Sequence, residues 1–199
     1  STWSKKVLEI LNSIQCTNQF VYPEANGKIL WGDARKRLKD IPENLKFDLI
    51  LHDAFSPNKC PQLWSEEFLY DLSRKLALNG RIITYSSSAA IRGSLRRSGL
   101  QINSIKPNER TKQIWSSGTL AIHTKNFCQE KNNSPSPNWH PLSKMEEEHL
   151  LTVAAVPYRD PSRGGHPQEI LKCREREQDK SNLTNSNSWR KRWEKAQSR

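Results

Sequence analysis

Glycine is scarce in this chain. Only eight occur in 199 residues, and none forms a G-x-G pattern behind an N-terminal strand. A backbone loop of that kind, whose N–H groups would cradle an anionic ligand, is therefore missing from these residues. Methionine occurs once, at Met145, and the chain opens Ser-Thr-Trp, so the expectation is that it does not begin at the natural start of a gene product. The four cysteines (Cys16, Cys60, Cys128, Cys173) are far apart, with no CxxC and no Cys/His ligand spacing. That excludes a zinc ribbon and argues against a disulfide frame, and it predicts free thiols in a reducing cytosol with no bound metal. No apolar run is long enough to cross a bilayer, and no signal-peptide pattern opens the chain. The expectation is a cytoplasmic protein with no membrane contact.

Basic charge is in excess. The formal net charge is +11, with 19 basic against 11 acidic residues in 1–128 and 13 against 10 in 129–199. Most of the excess thus sits on the more core-like part and not only on a basic tail. Such a balance points to a polyanionic partner, commonly RNA or DNA, with plain solubility charge as the competing view. Apolar residues make up 34% of the chain. Residues 129–139 and 178–188 are dominated by Asn, Ser, Pro, Lys and Glu and cannot offset the entropy of folding by apolar burial. The division expected is a domain over 1–128, a linker over 129–143 and a charged, partly disordered, helical or irregular extension over 144–199.

Val7, Leu8, Ile10, Leu11 and Ile14 recur at helical spacing and predict a helix over 4–15. Two short strands are expected within 19–31 around Pro23-Glu-Ala-Asn-Gly27, with Asn-Gly as the turn. Asp33 then caps a short basic helix. Ser65 caps a helix carrying Phe68, Leu72 and Leu76, which Asn79-Gly80 would stop in a left-handed turn. Strands are expected over 81–85, 100–105 and 119–123, with a helix from the serines at 86–88 to Gly99. Beyond them, helices are expected over 145–153 and 168–179. This alternation is the order of a doubly wound α/β sheet.

The most informative run is Phe47-Asp-Leu-Ile-Leu-His-Asp53-Ala-Phe-Ser-Pro57. A short apolar run with turn residues behind it predicts a buried strand of a parallel sheet. Ligands of open α/β sheets lie just past the carboxyl ends of such strands, which puts Asp53 at the lip of a site. A carboxylate there can hold an amine or take a proton. Asp33 ends the preceding crossover unit and would face the same crevice, unless it is a helix cap and nothing more.

Three pieces together resemble a known family: Trp31-Gly-Asp-Ala34, the run from Asp48 to Trp64 with its DAFSPxKxPxLW core, and Gly80-Arg-Ile-Ile-Thr-Tyr-Ser-Ser. They are similar to the methyltransferase domain of the MnmC-type enzymes, which act on 5-aminomethyl-2-thiouridine at the wobble position of tRNA. The likeness spans residues 28–123, and Val156-Pro-Tyr-Arg-Asp-Pro161 resembles stand-alone members without the flavin-dependent oxidase half. The resemblance implies a Rossmann-like class I methyltransferase sheet and S-adenosyl-L-methionine as cofactor, with no FAD in this chain. It also implies tRNA as partner and a separate enzyme, FAD-dependent or otherwise, that supplies the aminomethyl substrate.

Residue by residue, it places Asp33 and Ala34 beside the adenine, and Asp53, Ala54 and Phe55 where the methyl group meets the amine. Asp53 would be the catalytic group. Phe55 and Trp64 would stack on the uracil ring, unless they are core residues. Tyr158 and Arg159 would border the site. Arg92, Arg96 and Arg97, with Lys106, Arg110 and Lys112, would face phosphates, or else form a solvated helix face. The absent Gly-rich loop implies a sheet lacking its first strands, with a gap or altered pairing between residues 28–32 and 47–52, and cofactor binding that is weak or absent. Two other functions fit the same residues: methylation of a different amine, or a basic RNA-binding remnant without catalysis.

Overall fold

The computed structural model describes residues 3–105, 118–123 and 139–197. The chain divides into two compact units, Ser1–Ile41 and Pro42–Arg199.

In the first unit, Ser4 caps helix α1 (Lys5–Thr17), its hydroxyl accepting from the Val7 N–H. The helix stops at Asn18, left-handed at φ 59°. Strands β1 (Gln19–Tyr22) and β2 (Ala25–Lys28) form an antiparallel hairpin. Its turn is Pro23-Glu24, whereas Asn26 and Gly27, expected as the turn, lie inside β2. Gly27 sits beneath the Phe20 ring, where a Cβ would stand 2.2 Å from a ring carbon. This glycine therefore sits under an aromatic ring and not in a turn. Helix α2 (Ala34–Arg37) follows and tightens into a 3-10 turn, Leu38–Asp40.

The second unit holds β3 (Phe47–Leu51), a 3-10 turn (Pro61–Trp64), α3 (Glu66–Arg74), β4 (Leu76–Thr84), α4 (Ala89–Arg97), β5 (Leu100–Ile105), β6 (Gly118–His123) and β7 (Trp139–Pro141). The sheet order is β3-β4-β6-β5-β7. β3 and β4 run parallel, and the other pairs are antiparallel. Leu69 and Leu72 of α3, Ile91 and Leu95 of α4, and Ile82, Ile102, Leu120 and Ile122 of the sheet form the core.

Four expectations need correcting. β3 is not buried: it is an edge strand of this sheet, and Leu51 remains 68% exposed. β2 belongs to the hairpin and not to the five-stranded sheet. Helix α3 also ends earlier than its apolar spacing predicts, because Leu76 already pairs with Phe47. Gly80 lies inside β4, where an added Cβ would stand 2.6 Å from the Phe47 carbonyl oxygen. Close strand approach, and not a helix stop, explains this glycine.

The tail is more ordered than its composition suggests. It forms α5 (Lys144–His149), a 3-10 turn (Val153–Ala155), α6 (Pro167–Lys180) and α7 (Ser186–Gln197). Polar side chains supply the docking. Arg174 donates to the Val156 and Ala154 carbonyls, and Gln178 donates to Val153. The tail therefore belongs to the Pro42–Arg199 unit, and the expected boundary near 128 does not separate compact units. Of the expected linker, residues 139–143 fall among the described residues: 139–141 form β7 on β5, and Ser143 caps α5. No described helix is long and apolar enough to cross a membrane.

Candidate functional site

The parallel pairing outlasts β3 by one residue, since the His52 N–H donates to the Ile83 carbonyl at 2.8 Å. The chain then leaves the sheet at Asp53. Because β3 and β4 are parallel, their carboxyl ends share one rim, and Asp53 and Tyr85 both lie just past it. Asp53 is exposed, and among the described residues its carboxylate has no hydrogen bond or ion pair. The backbone behind it is held firmly. The Tyr85 hydroxyl donates to the Ala54 carbonyl at 3.0 Å, and the Trp64 indole N–H donates to the Phe55 carbonyl at 2.6 Å. The Lys59 and Cys60 N–H groups both close onto the Ser56 carbonyl.

Trp64 has no exposed surface, so it cannot stack on an incoming base; the core reading of this residue is the correct one. Phe55 is 78% exposed and free to do so. His52 lies beneath the loop, edge-on to Trp64 with ring centroids 4.4 Å apart and tilted against Phe68. Burial pushes its pKa down to about 4, opposed by a hydrogen bond to the Leu63 backbone and by the Asp53 charge. The imidazole is therefore neutral at pH 7 and places no cation beside Asp53. Sequence reasoning passed over both Tyr85 and His52. The rule that picked Asp53, a side chain just past a strand's carboxyl end, also picks Tyr85 once β4 is known to be parallel to β3.

Asp33 lies in the Ser1–Ile41 unit, whereas Asp53 lies in the Pro42–Arg199 unit. Asp33 caps α2 through the Arg35 N–H and grips the Arg35 guanidinium at 2.6 Å. That hydrogen bond is the main reason its carboxyl is held below the usual range. The cap role is thus real, and Arg35 takes up much of the acceptor capacity.

The expected phosphate-facing cations are arranged differently. Arg92 is buried: it donates to Thr119, to the Gly118 carbonyl and to Glu146, with both side chains of the Arg92–Glu146 pair 2% exposed. It ties α4 to β6 and α5 and cannot reach RNA. Arg96 grips Glu147 through two 2.8 Å hydrogen bonds, and Arg97 pairs with Glu66. Tyr158 is buried under the Arg174 guanidinium, 4.4 Å from its ring centroid. Arg159 bonds Glu67 at 2.8 Å. Tyr158 and Arg159 fasten the tail to the start of α3, where the Glu66 N–H also donates to the Tyr158 carbonyl. Lys106, Arg110 and Lys112 lie outside the described residues.

A protein-family model described as S-adenosyl-L-methionine-dependent methyltransferase matches residues 1–118, more than half of the chain. The chain belongs to that methyltransferase family. Among solved structures, the methyltransferase matches the crystal structure of MnmC2 from Aquifex aeolicus with a TM-score of 0.73 and 31% identity, covering 91% of this chain and 53% of that one. An uncharacterised protein of Methanocaldococcus jannaschii is 32% identical over 150 residues, which is 75% of this chain and 38% of that protein. The tRNA 5-methylaminomethyl-2-thiouridine biosynthesis bifunctional protein MnmC of Campylobacter hominis is 38% identical over 71 residues, 36% of this chain and 10% of its own length. The chain thus spans well under two thirds of these relatives. The mixed sheet with its flanking helices is the Rossmann-like α/β fold of this family.

Proposed function

We propose that the protein carrying this chain transfers a methyl group from S-adenosylmethionine to the aminomethyl nitrogen of 5-aminomethyl-2-thiouridine at the tRNA wobble position. One observation carries this reading: an exposed, unpartnered Asp53 carboxylate on a braced loop at the carboxyl rim of the parallel pair. The similarity to MnmC proteins supports the substrate class.

The cofactor, when bound, supplies a methyl group already activated on a sulfonium sulfur. An uncommitted carboxylate beside the half-buried Ala54 and the exposed Phe55 suits a cation of that kind. The amine attacks with its lone pair, so the N–C bond forms as the C–S bond breaks. Asp53 offsets the charge gathering on nitrogen and takes the proton that leaves it. Phe55 stacks on the pyrimidine face, a contact worth roughly 1–3 kcal/mol. The exposed pairs of Arg96 and Arg97 hold weakly enough to exchange a carboxylate for a phosphate. A separate enzyme would supply the aminomethyl nucleoside.

Nucleoside mass spectrometry of tRNA from a strain lacking the gene tests the proposal. The methylaminomethyl nucleoside should vanish and return with the wild-type gene. With Asp53→Asn, transfer should fall by about 10²–10⁴-fold. Unchanged nucleoside levels in the deletion strain would overturn the assignment.

A further inference from the structure

We infer that Tyr85 is a positioning residue for Asp53: by donating its phenol O–H to the Ala54 carbonyl, it fixes the Ala54–Phe55 peptide, one residue beyond Asp53, and so limits where the carboxylate stands. This inference concerns the same site, and its catalytic consequence rests on the reading above. The brace itself does not.

Three observations support it. First, two consecutive carbonyls, those of Ala54 and Phe55, are each held by a side-chain donor from another element. A peptide unit turns as a rigid plane, so holding each C=O also aims the N–H on its far side. The orientations of the Phe55 and Ser56 N–H groups are thereby set. Second, the two donors support each other, since the Trp64 and Tyr85 rings meet edge to face at 5.7 Å. Trp64 is locked by burial, and Tyr85 stands at the end of β4, whose last residue Thr84 pairs with Thr119 of β6. The loop after β3 is thus referenced to the neighbouring strand. Third, Tyr85 is 48% exposed on the same rim as Asp53, so its ring is not fixed there by core packing. Desolvation and the Asp53 charge both push its phenol pKa up, which keeps the O–H available as a donor.

Tyr85→Phe removes the hydroxyl and keeps the ring. Tyr70→Phe is the control, because Tyr70 is similarly exposed at 44% but lies on α3. Amide hydrogen exchange over residues 53–60 should speed up about three- to tenfold in Tyr85→Phe, the factor expected for one net hydrogen bond, and not in Tyr70→Phe. Transfer to tRNA should lose about tenfold in kcat with KM for both substrates within about twofold, as expected for a misoriented group. Unchanged exchange in Tyr85→Phe overturns the inference, and so does faster exchange with unchanged kcat. If the wild-type protein transfers no methyl to tRNA, the proposed reaction falls, while the exchange comparison still decides whether Tyr85 braces the loop.

Discussion

His52 and Gly80 show how much a single residue can carry here. His52 is neutral in the folded chain because burial holds its pKa near 4, against 6.5 for a free imidazole. Between those values the unfolded chain binds a proton that the folded chain refuses, so stability falls as pH drops from 6.5 towards 4 and is untouched above that window. The full effect is about 3 kcal/mol. Denaturant titrations at pH 7 and pH 4.5 should show this loss in the wild type and a clearly smaller one in His52→Gln, which has no titrating ring. Equal pH slopes would mean that His52 is not the group responsible. Gly80→Ala is a steric test. Its Cβ would meet the Phe47 carbonyl oxygen, a backbone atom that cannot swing aside. The expected loss is about 1–3 kcal/mol by thermal melting, typical of overpacking.

At the scale of elements, Glu146 does two tasks with its two oxygens. Oε2 closes the capping box of α5 with Ser143, and Oε1 neutralises the buried Arg92. Glu146→Ala leaves a buried guanidinium without its charge partner and should cost about 3–5 kcal/mol. Replacing both partners by apolar residues should cost less, and chemical denaturation of the two variants checks the order. This pair was invisible in the sequence, where Arg92 and Arg96 at i, i+4 read as one cationic face. The cations were legible; their carboxylates, some 50 residues away on α5, were not. Most helices and strands were legible, because Ser65 and Gly99 and the apolar spacing of α1, α3 and α4 are local signals. Two of the errors fell at Gly27 and Gly80, which lie inside strands although a local rule assigns them to turns. The rim position of Asp53 was legible too, since a strand's carboxyl end is a local feature. Tyr85 was not, because its nearness to Asp53 depends on which strand β4 joins.

Across the whole molecule, the C-terminal third contributes to the main unit instead of trailing from it. Low apolar content predicted disorder there, on the assumption that a segment must bury its own core. The tail borrows one instead. Met145, Val156, Tyr158 and Ile170 are buried, and Arg159 and Arg163 answer the acids Glu66, Glu67 and Asp71 along α3. Trp189 of α7 stacks on His149 at 4.3 Å, which fastens the end of the tail to α5. Helix α3 follows directly on the Trp64 turn that holds the Asp53 loop, so the tail and the site share one support. A chain shortened after Ser143 would lose those buried side chains, leave Glu67 and Asp71 of α3 without their arginines and strand Arg92 without Glu146. The unpaired Arg92 alone is expected to cost about 3–5 kcal/mol, a large share of the stability of an ordinary domain. Circular dichroism melts of the shortened and full chains at equal concentration should therefore show the cooperative transition lost or lowered by well over ten degrees. Transitions within a few degrees of each other would mean that the tail only rests on the domain and that Arg92 finds another partner.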